Sequence, residues 1–569
     1  MRSKTRQPSA VQADAASHID FKGFYRAYYY NAYNVGGAAE KQAFTDSYFG
    51  HRLNIDMTFR PTDEIAVHWR MRSPHFQRWG SSGNMSMETR HVYGEIKQDW
   101  GTVLVGRMNE DLDNFGLASL GYMPGSAMFT GMSPFDGGSP VDGIRWTNRW
   151  DNGFQLTAQY AKKAINTNTN SFDGYDANGD PTYSGHSSDA DYDRYQVEGA
   201  YFWDGGGASL GVIYDRDATA NGGDTFAVWD SDGFESTAWG RGYGDANVTT
   251  AWYVNPAIAH SWGDFSMHFE GMAGWGKTKY NNGWDVRRGR DKVKDQDAEG
   301  YAFYLDADYN YGPGNVMLAG WYSSGNDADD SDKNKALVAV DQGNFYPLLV
   351  AYNYTSLGGA PRSSYGAAMN MVTAANSKSL RLDQGAGFVT KDFDYGDSGA
   401  FLNNSVLLAG TGFEEFGVQV VADGKQRFAN GNGDANVWGI NLAGNHAFTD
   451  DITMNYSLGY LSLVNPNYKV VNKADFAVGG GGAVNYGAFG YTEQDKDLGF
   501  EIDLGFTFQL LDNLTFNTTF GYMFTGDAYK TLKGYKVTEN TTNNTGQVKA
   551  VWEDAKDTYI WANTLQFDF

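Results

Sequence analysis

Six arginines in the first 145 residues stand where they could line the inside of a polar channel. In one segment Val67 and Trp69 alternate with His68 and Arg70. A period of two places apolar residues on one face of a β-strand and polar residues on the other. The six arginines that the alternation puts on polar faces are Arg26, Arg52, Arg70, Arg72, Arg90 and Arg145. A row of guanidinium cations on one wall would attract anions and bias the passage of ions.

The opposite orientation of these arginines would be costly, because an arginine facing lipid at the membrane midplane costs about 2–4 kcal/mol. We therefore predict that the six side chains point inward. A second interpretation stays open, in which some of them pair with Asp56 or with loop acids and brace the structure. Inward carboxylates would also offset the basic wall; the alternation places four of them inside, namely Asp306, Asp308, Glu501 and Asp503.

The elements that must position these residues are hairpins of alternating strands. The clearest runs from Phe500 to Phe524, where Phe, Ile, Leu and Tyr alternate with small or polar residues on both sides of a turn at 511–513. The apolar set is too aromatic for a solvated face, and the other set is too polar for a core. Lipid on one side of the sheet and water on the other satisfies both sets.

Nine short turns of this kind predict nine hairpins, plus a first and a last strand. The turns are 61–63, 99–101, 151–153, 204–206, 263–264, 312–314, 449–451, 511–513 and, more weakly, 411–415. The sequence therefore predicts an all-β fold, a transmembrane antiparallel up-and-down β-barrel of 16–20 strands, with 20 as the best count. Segment 325–399 is ambiguous, because Phe345-Tyr346-Pro347 interrupts any strand there.

Composition agrees with a membrane barrel and excludes other classes. Aromatic residues make up 15% of the chain, yet the mean hydropathy is -0.51 and no apolar run is long enough for a membrane helix. The net charge of -24 argues against a nucleic-acid partner. Short turns alternate with long polar segments, which is the pattern of bacterial outer-membrane barrels. We expect the outer membrane as the location, with its lipid and lipopolysaccharide as partners.

The domain organisation is simple. Residues 1–15 are interpreted as a signal-peptide remnant or a disordered N-terminus, since Ala13-Asp14-Ala15 has the form of a signal-peptidase site without a preceding apolar region. Residues 16–569 are predicted to form a single transmembrane barrel with long extracellular loops. The alternating C-terminal segment ends on Phe569, a pattern typical of the C-terminal signal of outer-membrane proteins.

The first 165 residues or so resemble the general diffusion porins of Gram-negative bacteria. Residues 19–26, 50–54, 89–94 and 101–107 are similar to their first, second, fourth and fifth strands, the fifth ending in Gly106-Arg107. The chain is also similar to the trimeric porins of sulfate-reducing bacteria. The resemblance implies a homotrimer and a loop after the fifth strand, here residues 108–142, that folds into the barrel and narrows it.

The resemblance also implies site residues at this constriction. Arg52, Arg90 and Arg145 match the basic cluster of the family, and loop carboxylates should face that cluster. The candidates for those carboxylates are Glu110, Asp111, Asp113 and Asp136.

No catalytic or metal site is predicted with the same support. Residues 173–180 offer oxygen ligands at a spacing like that of Ca²⁺ loops, namely Asp173, Asp176, Asn178 and Asp180. The closing Glu of an EF-hand loop is missing, so a plain acidic loop is favoured. The nine His residues form no zinc motif, and the sequence has no Cys. We expect no cofactor.

The function predicted from these observations is a porin, a water-filled channel for passive diffusion of small hydrophilic solutes, anions among them. An alternative is a substrate-specific channel for an anionic saccharide, because Phe345-Tyr346-Pro347 faintly resembles alginate-export barrels. A sheath around a cytochrome would need a lumen free of an inward loop. An outer-membrane phospholipase would need a Ser–His pair on the lipid face, which the alternation does not offer. We therefore expect no enzymatic activity.

Overall fold

The fold was analysed in a computed structural model of the chain. The structure describes residues 19–35, 44–73, 77–79, 87–109, 140–165, 171–175, 181–184, 191–217, 229–230, 233–234, 248–279, 296–324, 333–335, 419–420, 426–427, 437–465, 468–472, 476–477, 489–493, 495–527, 531–540, 545–553 and 557–569. No helix that could cross a membrane occurs among these residues.

Eighteen antiparallel strands form one closed β-barrel. The strands are β1 (Ile19–Val35), β2 (Phe44–Thr62), β3 (Ile65–Arg72), β4 (Glu88–Gln98), β5 (Gly101–Asn109), β6 (Pro140–Arg149), β7 (Phe154–Ile165), β8 (Asp191–Trp203), β9 (Gly206–Asp217), β10 (Val248–Trp262), β11 (Phe265–Lys279), β12 (Gln296–Asn310), β13 (Gly314–Ser323), β14 (Val437–Thr449), β15 (Ile452–Leu463), β16 (Asp497–Leu511), β17 (Leu514–Thr525) and β18 (Thr558–Asp568). Each strand pairs with its neighbours in the chain, and β18 pairs with β1 to close the ring. The predicted fold class is confirmed.

The closing seam is regular and extends to the last residue. Tyr25 of β1 lies opposite Phe567 of β18. The backbone N–H of Gly23 donates to the carbonyl of Phe569 at 2.7 Å, and the N–H of Phe569 donates to the carbonyl of Gly23 at 3.0 Å. The Phe569 ring stacks on Phe21 at 5.8 Å between ring centres. A closed ring leaves no strand edge with unpaired backbone groups.

Eight of the nine predicted short turns join consecutive strands as expected. Their sequences explain the tight reversals, because glycine adopts the left-handed backbone conformation without a steric penalty. Gly205 has φ of 78° between β8 and β9, and Gly263 has φ of 65° between β10 and β11. In the turn between β6 and β7, the side-chain oxygen of Asn152 accepts a hydrogen bond from the backbone N–H of Phe154 at 3.0 Å.

The count of 20 strands is corrected to 18. The two extra strands were expected around a ninth turn at 411–415, which lies outside the described residues. β13 pairs directly with β14, with Leu318 opposite Leu442, so no further strand can enter the ring between them. The ambiguous segment 325–399 lies almost wholly outside the described residues.

Thirteen further short strands are described besides the barrel strands. They are Gln77–Arg78, Ser171–Tyr175, Pro181–Ser184, Trp229–Asp230, Gly233–Phe234, Lys333–Asn334, Gln419–Val420, Gln426–Arg427, Tyr468–Asn472, Phe476–Ala477, Phe489–Glu493, Thr531–Asn540 and Thr545–Glu553. All of them lie in the long segments, at the end of the barrel away from the short turns. Residues 1–18, including the expected signal-peptide remnant, lie outside the described part.

Candidate functional site: the inner wall of the barrel

The first two arginines of the predicted basic wall lie directly opposite each other, Arg26 on β1 and Arg52 on β2. Only 3% of each residue is exposed. The Arg26 guanidinium lies 4.7 Å from the centre of the Phe24 ring, and that of Arg52 lies 6.0 Å from it. Arg26 also donates to the side-chain oxygen of Gln566 at 2.8 and 2.6 Å. A neutral amide acceptor orients this guanidinium without cancelling its charge.

Arg70 and Arg72 are held by carboxylates on neighbouring strands. Arg70 Nε donates to Asp56 Oδ1 at 2.5 Å, and Nη2 donates to Asp56 Oδ2 at 3.1 Å. Arg72 Nε donates to Glu88 Oε1 at 2.5 Å. These pairs link β3 to β2 and β4, which is the bracing interpretation of the sequence. Both side chains still lie on the inward face, beside the lumen.

Arg90 lies at an irregularity that the sequence does not reveal. The inward positions of β4 are His91, Tyr93 and Glu95, and His91 lies opposite Arg70. The next pair joins Met71 to Thr89, so Arg90 is the extra residue of a β-bulge beside His91. Arg90 is two residues from the exposed, outward Val92, so the alternation does not place it on the inner face as predicted, and the bulge sets its position; its side chain is half-buried.

Arg145 begins a buried chain of amides. It donates through Nε to Gln159 Oε1 at 2.6 Å, and Gln159 Nε2 donates to Gln196 Oε1 at 2.7 Å. The three side chains lie on consecutive strands β6, β7 and β8. Each amide turns an oxygen toward Arg145, so the row is polarised around the guanidinium.

Carboxylates occupy the inner face of a different arc. Asp306 lies 3.2 Å from His268 Nδ1, and Asp308 accepts a hydrogen bond from Asn315 Nδ2 at 2.7 Å. Glu501 and Asp503 are both buried on the inner face of β16. The sequence alternation places all four inside, and the structure agrees. It adds Glu270 of β11, which the alternation of Phe265, Met267 and Phe269 also marks as inward.

The arginines and the carboxylates are concentrated on different arcs of the ring. β3 and β12 are nine strands apart in a ring of eighteen, so they are diametrically opposed. Arg70 is five residues beyond the start of β3 and Asp306 is four residues before the end of β12, both counted from the short turns. Five inward arginines and the bulge residue Arg90 occupy β1–β6, where Asp56 and Glu88 lie beside them, and the five carboxylates occupy β11, β12 and β16; β16 lies three strands from β1 in the ring. We call the two arcs the basic wall and the acidic wall.

One buried arginine was missed at the sequence level. Arg194 of β8 is 0% exposed and donates to both carboxylate oxygens of Asp215 on β9, at 2.6 and 2.5 Å. It also donates to the hydroxyl of Tyr192 at 2.9 Å. The alternating exposed residues Tyr195 and Val197 would have placed it inward by the same test. This bidentate pair braces β8 against β9.

The outer face is apolar, in contrast to the wall just described. Exposed side chains there include Val67, Trp69, Leu305 and Leu318. On β11 the outward Phe265 and Trp275 are ten residues apart, which spans about 25 Å along the membrane normal for a tilted strand. An apolar band of this height between two aromatic rows matches the hydrocarbon core crossed by bacterial barrels.

The chain is an outer-membrane β-barrel. No family model matches its sequence, and no curated protein matches it. Solved structures similar to this barrel include the outer-membrane protein OprD from Pseudomonas aeruginosa, with 9% identity, a TM-score of 0.40, and coverage of 97% of this chain and 93% of that chain. OccAB1 of Acinetobacter baumannii has 11% identity, a TM-score of 0.41, and coverage of 98% and 99%.

The trimer form of OmpT, an outer-membrane protein of Vibrio cholerae, has 10% identity, a TM-score of 0.32, and coverage of 97% and 99%. Values this low define neither a family nor a substrate for the barrel.

Several predicted site residues lie outside the described part of the barrel protein. They are Glu110, Asp111, Asp113, Asp136, Asp176, Asn178 and Asp180, and of Asp173 only the backbone is described. The described residues contain no group of three or more His, Asp or Glu side chains arranged to hold a metal ion. The constriction carboxylates and the Ca²⁺ loop stay predictions.

Proposed function

We propose that this outer-membrane barrel is a water-filled channel for small hydrophilic solutes, with a transverse electric field across its lumen. The observation that carries the proposal is the excess of arginines on the β1–β6 arc of the inner wall, with the carboxylates of β11 and β12 across the ring from it. A solute entering between the two walls meets positive charge on one side and negative charge on the other. Fixed charges on the wall of a pore bias the ions and solutes that pass close to them.

Such a field selects by polarity. A dipolar or charged solute is turned so that its ends face the complementary walls, which offsets part of the hydration that it loses. A large apolar solute receives no such compensation. The mechanism needs no reaction and no bound cofactor, only fixed charges and water.

The predicted constriction loop receives indirect support from the wall beside it. Met108 and Val141, at the two ends of the segment that should form the loop, are 1% and 2% exposed and pack with Ala161 on the inner face. Tyr93 and Leu104 pack against them. Residues 110–139 themselves lie outside the described part, and the inward loop over residues 108–142 stays a proposal.

Planar-bilayer recording under a salt gradient tests the field. Replacing Arg26 and Arg52 by Gln should shift the reversal potential toward cation preference, because two positive charges leave the basic wall. The matched variant Arg26→Lys with Arg52→Lys keeps the charges and should keep the wild-type reversal potential. An unchanged reversal potential in the Gln variant would refute the field.

Two further outcomes bear on the channel itself. Large, ohmic and non-saturating currents from the wild-type protein would support passive diffusion, as the resemblance to general diffusion porins implies. Absence of any conductance from correctly folded protein would contradict the proposed function. Native mass spectrometry of detergent-extracted protein would check the homotrimer, which stays a prediction.

A substrate-specific channel for an anionic saccharide is the second candidate. The amide chain from Arg145 through Gln159 to Gln196 favours it, because neighbouring guanidinium and amide groups can hydrogen-bond carboxylates and hydroxyls together. Saturable block of the current by an oligouronate, relieved by Gln159→Leu, would favour this candidate over passive diffusion.

A further inference from the structure

A single row of charged side chains crosses the outer face of the barrel at the end that carries the long segments. Arg107 on β5 lies opposite Asp142, which lies opposite Lys162, which lies opposite Asp193. Across the next strands the register partners are Arg216, Thr250, Lys277 and Asp297. We call this set of eight residues, from β5 to β12, the charged row.

The rows beneath the charged row show where it lies in the membrane. The next outward row toward the short turns is aromatic on five consecutive strands, and its members are Tyr160, Tyr195, Tyr214, Trp252 and Trp275. The row after it is apolar and includes Val197, Val212 and Val254. Apolar, aromatic and charged rows in that order follow the passage from hydrocarbon through the interface to the headgroups. The charged row therefore stands at headgroup depth.

The end of the barrel at which the charged row lies identifies the membrane leaflet that the row faces. The strands of the charged row run into the long segments 110–139, 166–190, 218–247 and 280–295, whereas the short turns join them at the other end. Outer-membrane barrels keep short turns in the periplasm and long loops outside. The charged row thus faces the outer leaflet, where the lipid is lipopolysaccharide and the headgroups carry phosphates.

The charges of the row suit that surface. It holds four cations and three carboxylates, although the whole chain carries a net charge of -24. The side chains of Arg107 and Lys277 are each 45% exposed while they contact Asp142 and Asp297. Among the described side chains of β13–β18 and β1–β3, no Lys or Arg points outward. The cations are therefore concentrated on one side of the barrel.

The alternation of charge is broken at one position. A carboxylate lies between each of the earlier cations, but Thr250 lies between Arg216 and Lys277. The two cations lie two strands apart, on either side of the Thr250 hydroxyl. Because neighbouring strands are about 4.8 Å apart, the distance between the strands that carry the cations is about 10 Å. An arginine fork, an ammonium group and a hydroxyl are the donors that phosphate oxygens accept.

We propose that the charged row binds the phosphates of lipid A, the membrane anchor of lipopolysaccharide, with its strongest site around Arg216, Thr250 and Lys277. The aromatic row below packs against the acyl chains and glucosamine backbone of the same lipid. The carboxylates keep the cations extended along the row. This binding is independent of conduction through the lumen.

The test uses the full chain in nanodiscs of zwitterionic phospholipid, titrated with diphosphoryl lipid A and with dephosphorylated lipid A, and read by native mass spectrometry. The wild-type protein should prefer the diphosphoryl form by at least about tenfold, which corresponds to about 1.4 kcal/mol. Thr250→Asp, which completes the alternation, should remove most of this preference. Thr250→Asn has nearly the same size without the charge and should retain it.

Several outcomes would overturn the proposal. Equal binding of the two lipids by the wild-type protein would show that only acyl chains are recognised. Equal lipid preference in Thr250→Asp and Thr250→Asn would show that the row serves only to join strands. Competition by millimolar inorganic phosphate without lipid A preference would indicate a free-phosphate site, and loss of dimers in Thr250→Asp would indicate a second copy as occupant. Unchanged conductance of both variants verifies folding and separates this test from that of the channel.

Discussion

Arg194 and Asp215 illustrate how a charge is tolerated in the wall of this barrel. The pair is bidentate and has essentially no exposed surface. Removing one partner of such a pair leaves the other charge buried, which costs more than removing both. The pair therefore adds little net stability, but neither residue can be replaced alone without leaving a buried charge.

Asp215→Asn should lower the free energy of unfolding by about 3–5 kcal/mol, because the Arg194 charge loses its counter-ion in a buried site. Guanidinium chloride unfolding in detergent, followed by tryptophan fluorescence, measures the loss. The double variant Arg194→Leu with Asp215→Leu should lose less than the single variant. A single variant within 1 kcal/mol of wild type would contradict this account.

The closing seam between β1 and β18 depends on a close approach of backbones at Gly23. A Cβ at this position would overlap the carbonyl oxygen of Asn54 on β2 and touch the Phe569 ring at 3.0 Å. Any side chain here must therefore displace β2 or the end of β18. The pairing of β1 with β18 closes the ring, so a shift of either strand there disturbs the closure of the barrel.

Gly23→Ala should reduce the yield of assembled barrel, measured as the heat-modifiable fraction on electrophoresis after refolding into lipid vesicles. Gly94→Ala is the matched control, since a Cβ there meets no atom within 4 Å. It should assemble as the wild type does. Equal yields for both variants would show that the seam accommodates a methyl group without cost.

The direct pairing of β13 with β14 predicts that the barrel can form without the long segment between them. Tyr322 lies opposite Trp438 although 115 residues separate them in the chain, so the two strand ends are adjacent. Replacing residues 340–430 by a short Gly-Ser linker should leave a closed barrel with unchanged heat modifiability and β-sheet circular dichroism. Failure to assemble would show that the ring needs this segment in order to form.

At the scale of the whole molecule, charge is partitioned between two arcs of the lumen and one arc of the outer surface. The basic wall lies on β1–β6, the acidic wall on β11, β12 and β16, and the charged row runs outside β5–β12. Because the acidic wall is negatively charged, removing its carboxylates should shift the reversal potential in the direction opposite to removing arginines of the basic wall.

Glu501→Gln with Asp503→Asn should shift the reversal potential toward anion preference, opposite to the Arg26→Gln, Arg52→Gln variant. The shift should shrink between 0.1 M and 1 M KCl, since the Debye length falls from about 10 Å to about 3 Å. Reversal potentials at both salt concentrations measure it. Shifts of the same sign from both walls would refute a transverse field.

The sequence by itself determined the class of fold and most faces of the strands. Alternation needs only neighbouring residues, because side chains of successive strand residues point to opposite faces whatever the tertiary structure. For the same reason local patterns predict eight turns and the inward positions of five charged residues, namely Arg26, Arg52, Arg145, Asp306 and Glu501.

Only the tertiary structure decided the features that depend on register and closure. The strand count of 18 follows from the direct pairing of β13 with β14, and the position of Arg90 follows from a bulge against Arg70. The continuity of the charged row joins residues up to 190 positions apart, from Arg107 to Asp297, and the opposition of β3 and β12 brings Arg70 to face the arc of Asp306. Local alternation fixes the face of a residue, whereas the hydrogen-bond register between strands fixes its neighbours and its height in the membrane.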